Sequence, residues 1–213
     1  MSLLAYERWF LSEKEDKEML IRISQNIVSF WIKEKIIEQG NEEAYVYGMQ
    51  LLFSTVINVL IIAIISVLTN RPIAWVHYLV GFVPIRITAG GFHAKTPLLC
   101  SMLFSSSYMV CIFFLWCVKS NFICPWIITN CILSFGILYL YSPQPVSNKP
   151  MAHSELEKNR RISLIISIVI LGLLYVSIQL RFSLVTSLCI SIGELIASLF
   201  CAFAGKQKYS DSH

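Results

Sequence analysis

The feature that most constrains the fold of this chain is a series of apolar runs, each close to the length of a membrane-spanning helix. A helix needs about 20 predominantly apolar residues to cross the hydrocarbon core of a bilayer. Five runs meet or approach that length: Tyr45–Leu68, Leu98–Val118, Phe122–Tyr141, Ile162–Leu180 and Phe182–Ala204. Backbone groups in lipid must find their hydrogen bonds inside the helix. The sequence therefore predicts an all-α, polytopic membrane protein, and a charged fraction of only 14% supports it.

A further apolar run, Ile73–Pro84, is too short to cross the bilayer alone. It crosses only if it recruits Arg86–Ala89, and otherwise it re-enters from one face. The residues "NRP" at 70–72 predict a turn before it. We therefore predict about six membrane segments, of which the second is either a crossing or a re-entrant segment.

Residues 1–44 have a different pattern from the rest of the chain. Apolar side chains recur there at three- and four-residue spacing, at Leu20, Ile23, Ile27 and Phe30 with Trp31. This spacing predicts an amphipathic helix that lies in the membrane interface, with a short cytosolic helix packed on loops as the equal alternative. The predicted domains are an interfacial region at 1–44, an integral membrane domain at 45–205 and a cytoplasmic tail at 206–213.

The distribution of basic residues predicts the orientation. With six passes, fourteen of the seventeen Lys and Arg residues fall in 1–44, 86–97, 142–161 and the tail. Basic residues are enriched in cytoplasmic segments, so both termini and the 86–97 loop are expected in the cytoplasm. A net charge of +4 suits anionic inner-leaflet lipids. The basic residues do not cluster on one soluble face, which argues against a nucleic-acid partner.

The stretch "RITAGGFHAKTPLLC", Arg86 to Cys100, places an arginine, two adjacent glycines, a histidine and a cysteine between two apolar runs. Thr96 and Pro97 predict a helix start, since threonine is a good N-cap and proline fits the first helical position. Cys100 then lies at the end of the first turn, where the helix dipole favours the thiolate form of cysteine. The stretch therefore predicts a reactive thiol at the membrane face.

His93 is the candidate base for that thiol. In one unbroken helix it would lie about 10 Å from Cys100 along the axis, but breaks at Gly90-Gly91 and Thr96-Pro97 allow the chain to fold back. A thiol with an imidazole beside it is the pair that acyl-transfer chemistry needs. The backbone N–H groups of Gly90 and Gly91 are candidate oxyanion donors. The alternative is a chance occurrence of a histidine and a cysteine seven residues apart.

The same stretch resembles the signature of the accessory gene regulator B (AgrB) family, membrane endopeptidases of Gram-positive peptide quorum sensing. The matching residues, in order and without a gap, are Arg86, Gly90, Gly91, His93, Lys95, Pro97 and Cys100. The resemblance implies that His93 and Cys100 are the catalytic pair of a cysteine peptidase, without a cofactor, at the cytoplasmic face of a Gram-positive cell membrane. It also implies an AgrD-type precursor peptide as the substrate.

In this family's chemistry the enzyme cleaves off the precursor's C-terminal tail and an internal cysteine then closes a thiolactone, giving an autoinducing peptide. Arg86, Gly90, Gly91 and Lys149 are the candidates for substrate binding or transition-state support. Some family members carry a run of lysines after the fourth span, whereas this chain has only Lys149 there. A homodimer is left open.

Other polar residues lie inside the apolar runs. Glu194 is in the middle of a span and His77 in the short run, and each is either a site residue or a hydrogen-bonded packing residue. Asn58 and Asn130 are predicted to form interhelical hydrogen bonds. Glu194 and His77 would also suit a polar pathway, so a small peptide transporter or exporter without proteolysis is the alternative function. A membrane scaffold without chemistry is a third.

The cysteines and histidines indicate neither a disulfide scaffold nor a metal site. The chain has seven cysteines with no Cys-x-x-Cys pair, and its four histidines are scattered. Structural zinc sites need ligands at close, regular spacing. Apart from Cys100, the cysteines of the apolar runs are therefore expected to pack as small hydrophobic side chains.

Overall fold

The computed structural model describes residues 19, 21–37, 40, 42–90, 97–118, 122–144, 153–180 and 183–210. A first helix, α1, covers 21–33. The helices that follow are α2 (Glu42–Leu68), α3 (Ala74–Ala89), α4 (Pro97–Cys117), α5 (Ile123–Tyr141), α6 (His153–Gln179) and α7 (Leu184–Ser210). No strand occurs in these ranges, and the one bridge between extended residues joins Gly90 to Gln144. The all-α prediction is confirmed.

Five of these helices, α2 and α4 to α7, are long and apolar enough to cross a membrane. This confirms a polytopic membrane protein. The sixth, α3, has 16 residues and passes unbroken through Pro84. It recruits Arg86–Ala89, as a crossing requires, and is about 24 Å long. The predicted turn before it is confirmed, because Asn70 adopts a φ of 56° and the Arg71 N–H donates to the Ser66 carbonyl at 2.8 Å.

The chain forms two compact units. The first consists of Met1–Ile61 and Lys95–Leu103, so it holds α1, most of α2 and the first turns of α4. The predicted N-terminal helix is present, with Val28 fully buried and Phe30 and Ile23 exposed on another side. Its location in the membrane interface stays a prediction, as do the boundaries of the three predicted domains.

The second unit consists of Ile62–Ala94 and Phe104–His213, and the close contact of α3 with α7 is at its centre. Two glycines make this contact possible. A Cβ on Gly81 would overlap the Ile190 carbonyl, and one on Gly193 would overlap the Tyr78 carbonyl. Small residues let helix backbones approach closely in membranes, where packing rather than the hydrophobic effect holds helices together.

The helix directions in the second unit alternate along the chain. The Phe82 ring of α3 packs on the Phe104 ring of α4 at 5.3 Å, and the Tyr78 hydroxyl lies 2.8 Å from the Ser107 hydroxyl, so these helices are antiparallel. The contacts of α3 with α7 follow the same order along both helices, since Gly81 lies against Ile190 and, further along, the Cys201 sulfur lies 3.5 Å from the Ala89 carbonyl oxygen. Helix α3 therefore passes through the unit in the direction of α7 and does not turn back within it.

Both predicted interhelical asparagines form their bonds. Asn130 of α5 donates to the Ser191 hydroxyl of α7 at 3.2 Å. Within the first unit, Asn58 of α2 accepts a hydrogen bond from the Ser101 hydroxyl of α4. Polar side chains at these depths are thus satisfied by partners on neighbouring helices.

Candidate active site

Cys100 lies where the sequence predicts it, at the end of the first turn of a helix that begins at Pro97. Its side chain is half-buried. The next residue, Ser101, donates its hydroxyl hydrogen to the Asn58 side-chain oxygen, which ties this turn of α4 to α2. The thiol is therefore held in the N-terminal turn of α4, where backbone N–H groups have no partner within the helix.

Several of the other predicted site residues lie outside the described part of the chain. These are Gly91, His93, Lys95 and Lys149. The pairing of His93 with Cys100 and a substrate role for Lys149 therefore stay predictions. Of the predicted set, the structure describes Arg86, Gly90 and Cys100.

Gly90 ends α3 in a conformation that requires glycine. Its φ is +72°, a region in which a side chain is strained, and a Cβ there would overlap the Gln144 carbonyl oxygen. Gly90 forms a parallel bridge with Gln144, whose N–H donates to the Ala89 carbonyl at 2.9 Å. The glycine thus lets two irregular backbone segments approach closely. The role of its N–H as an oxyanion donor stays a prediction.

Arg86 lies in the last turn of α3 and is half-buried. One guanidinium nitrogen, Nη1, lies 3.4 Å from the Gly90 carbonyl oxygen. The guanidinium carbon is 5.8 Å from the centre of the Phe200 ring, within the range of a cation–π contact. The guanidinium is therefore placed beside the backbone that leads from α3 toward His93.

Cys201 also lies beside this backbone, although no sequence pattern predicted it there. Its buried sulfur lies 3.5 Å from the Ala89 carbonyl oxygen and 3.7 Å from the Tyr141 carbonyl oxygen. Its burial agrees with the expectation for the apolar-run cysteines. Cys201 lies near Gly90 because of the register in which α3 packs along α7. In the sequence, only the small residues Gly81 and Gly193 indicate that register.

Glu194 is the centre of a separate buried cluster. The carboxyl group is fully buried, and it accepts a hydrogen bond from the Ser167 hydroxyl at 2.5 Å. The Cys131 sulfur lies 3.8 Å from its second oxygen, and the Ser134 hydroxyl donates to its backbone carbonyl at 3.4 Å. Within the described ranges no basic side chain forms an ion pair with this carboxyl group. The cluster joins α5, α6 and α7. His77, the other polar candidate of the apolar runs, is half-buried on α3 and is not among the contacts of Glu194 given above.

A family model described as "Accessory gene regulator B" matches residues 24–201. That range covers most of the chain and runs from α1 into α7. The chain belongs to the AgrB family. The match confirms the resemblance of Arg86–Cys100 to this family. Comparison with curated proteins and with solved structures gave no significant match.

Membership of the AgrB family fits a role in quorum-sensing peptide processing by a multi-pass membrane protein. A peptide precursor and the lipid bilayer are the partners that such a role requires. The matched range includes the whole candidate site, from Arg86 through Cys100, and it ends at Cys201.

Proposed function

We propose that this chain is a membrane-embedded cysteine endopeptidase that removes the C-terminal tail of an AgrD-type precursor and promotes thiolactone closure of the remaining peptide. The observation that carries the proposal is the place of Cys100. In a chain of the AgrB family, this thiol lies in the first turn of α4, directly after the segment that contains His93.

The first step is acyl transfer to Cys100. His93 takes the proton of the Cys100 thiol, and the resulting thiolate attacks the carbonyl carbon at the end of the precursor's signal core. The C–N bond then breaks, the proton passes from His93 to the leaving amine, and the tail departs. A thioester to Cys100 remains.

The second step exchanges one thioester for another. A cysteine thiolate within the bound peptide attacks the carbonyl of the Cys100 thioester, the C–S bond to the enzyme breaks, and the thiolactone leaves. One C–S bond forms as another breaks, so the step is nearly balanced and needs no ATP. Exclusion of water by the bilayer and by the peptide would protect the intermediate from hydrolysis.

The cytoplasmic face is the proposed location of the site. The C-terminal ends of α3 and α5 meet at the Gly90–Gln144 bridge. Near the same end, Arg160 of α6 donates to the Tyr139 carbonyl of α5 at 2.9 Å, and Arg161 is exposed beside it. Basic residues concentrate on the cytoplasmic side of membrane proteins. These arginines support a cytoplasmic location for the segment that follows α3, and the same rule supports cytoplasmic termini.

Arg86 is the proposed contact for the acidic part of the precursor. A guanidinium presents a planar fork of donors that suits a carboxylate, and lysine does not reproduce it. Its contacts with the Gly90 carbonyl and the Phe200 ring hold the guanidinium near the point where the substrate-binding segment begins. We therefore expect Arg86→Lys to weaken precursor cleavage although it keeps the charge.

Co-expression with an AgrD-type precursor tests the proposal. Cys100→Ala should leave full-length precursor in the membrane. Cys117→Ala is the matched control, because Cys117 is an exposed cysteine at the other end of the same helix and should have no effect on cleavage. Normal cleavage by Cys100→Ala would end the proposal.

A second experiment separates a peptidase from an exporter. A precursor whose internal cysteine is replaced by alanine should accumulate as an acyl adduct on Cys100, detectable by mass spectrometry of the intact enzyme. An exporter would instead show full cleavage by Cys100→Ser with the product retained in the cell. Repeated absence of the adduct, with cleavage intact, would contradict an acyl-enzyme.

A further inference from the structure

We propose that Cys201 and Gln144 are positioning residues, which together fix the end of α3 from which the His93 segment departs. We call the contact of Cys201 and Gln144 with Ala89–Gly90 the α3 clamp. This inference rests on the proposed function, since it assigns a purpose to holding His93 in place.

The first half of the clamp is a backbone contact. The Gln144 N–H donates to the Ala89 carbonyl at 2.9 Å, and Gly90 forms the bridge beside it. The last four carbonyls of a helix have no partner within the helix. Gln144 satisfies one of them, and the positive φ of Gly90 is what brings the two segments into contact.

The second half of the clamp is the Cys201 thiol. It is fully buried and faces two carbonyl oxygens at hydrogen-bonding distance for sulfur, those of Ala89 and Tyr141. These are the last helical residues of α3 and α5. One side chain of α7 thus holds the ends of two other helices.

The segment that carries Gln144 is itself anchored. Its side-chain amide donates to the Tyr141 carbonyl at 2.6 Å. Two residues earlier, the Ser142 N–H donates to the Leu138 carbonyl at 2.9 Å, and the Ser142 hydroxyl lies 2.9 Å from that of Ser163 on α6. Contacts with α5, α6 and α7 therefore support the clamp. Through it, these three helices hold the end of α3 in place.

The purpose of holding the end of α3 follows from its short distance in sequence from His93. Gly90 is only three residues before His93 in the sequence, so we expect the position of the end of α3 to limit where the imidazole can lie. A misplacement of about 1 Å in a reacting group can cost about 100-fold in rate. Loss of the clamp should therefore slow chemistry at Cys100 without removing any group that touches the substrate.

Iodoacetamide alkylation of Cys100, measured against pH by mass spectrometry of the Cys100 peptide, tests this inference without a precursor. An adjacent imidazole promotes the thiolate, so His93→Ala should move the half-maximal alkylation rate to higher pH. Cys201→Ala and Gly90→Ala should both move it in the same direction, by at least half as much. Cys201→Ser keeps a hydrogen-bond donor and should stay close to the unaltered protein.

Cys189→Ala is the matched control, since Cys189 is another buried thiol of α7, twelve residues before Cys201. It should leave the alkylation profile unchanged. If His93→Ala shifts the profile and neither Cys201→Ala nor Gly90→Ala does, the clamp is wrong while the proposed function stands. If His93→Ala leaves the profile unchanged, the catalytic pair itself is wrong. Using two clamp variants on different helices keeps the test decisive should one of them fail to fold.

Precursor cleavage supplies the second readout. With precursor at saturation, Cys201→Ala should lower the cleavage rate about ten-fold, and the precursor concentration for half-maximal rate should stay nearly constant. Cys201→Ser should recover most of the rate. A merely structural defect would instead reduce the amount of folded enzyme. Cys201→Ser and Cys201→Ala would then have the same cleavage rate per folded molecule.

Discussion

The close contact of α3 with α7 predicts that Gly81→Ala is strongly destabilising although alanine is the better helix former. The new Cβ would overlap the backbone carbonyl of Ile190, and its next neighbour, the Glu194 backbone nitrogen, would lie only 3.0 Å away. Neither atom belongs to a side chain that could rotate away. The two helices must therefore separate, and the contacts along their whole length weaken.

The size of the effect follows from two opposing terms. Overpacking of a well-packed site costs about 1–3 kcal/mol, and a clash with backbone belongs at the upper end. Replacing glycine by alanine in a helix returns about 1 kcal/mol. We therefore expect a net loss of about 2 kcal/mol for Gly81→Ala, and a similar loss for Gly193→Ala, whose Cβ would overlap the Tyr78 carbonyl.

Gly172→Ala provides the control, because a Cβ at Gly172 on α6 meets no atom within 4 Å. It should be neutral or slightly stabilising, so the two variants should differ by about 3 kcal/mol. The measurement is reversible unfolding of the detergent-solubilised protein by SDS, followed by circular dichroism. Equal stability of Gly81→Ala and Gly172→Ala would refute the packing of α3 on α7 described above.

Three further predictions concern buried polar contacts. Glu194→Gln should retain stability because the amide oxygen can still accept from Ser167 (2.5 Å), whereas Glu194→Ala should lose about 1–3 kcal/mol in the same SDS assay; the reverse order would contradict hydrogen bonding as the role of this carboxyl group. Asn58→Ala should slow precursor cleavage about five-fold, and adding Ser101→Ala should cause no further loss, while an additive loss in cleavage rate would show that the two residues do not act through their shared bond. Tyr78→Phe should cost about 1 kcal/mol of unfolding free energy through its lost hydroxyl contact, and an unchanged SDS midpoint would show that the contact is not formed.

The membrane segments were predictable from the sequence because length and apolar content alone decide whether a helix can span a bilayer. The start of α4 at Pro97 was predictable for a local reason, since proline favours the first turn and is excluded from most later positions. Cys100 therefore had a defined place on its helix before any contact was known.

The packing of the helices was not predictable in the same way. A soluble helix marks its buried side with an apolar stripe, but a helix that is apolar all round gives no such mark. The sequence therefore did not indicate which face of α7 packs against α3. For the same reason it did not indicate that Cys201 lies beside Ala89. Glu194 stood out as a polar residue in a span, yet its partners Ser167 and Cys131 were two candidates among many buried small residues.

The α3 clamp also explains how a polar, irregular backbone can exist where α3 ends. Unpaired carbonyls near lipid are costly, and a mobile loop would leave them unpaired for part of the time. The Gln144 N–H donates to the Ala89 carbonyl oxygen and the Cys201 sulfur lies 3.5 Å from the same oxygen, so the last carbonyl of α3 has partners within the protein. Under the proposed function, such an arrangement would allow the backbone at Gly90 to approach the precursor while the helices behind it stay fixed. The proposed reaction needs both properties, because its substrate must meet polar groups at a place from which bulk water is largely excluded.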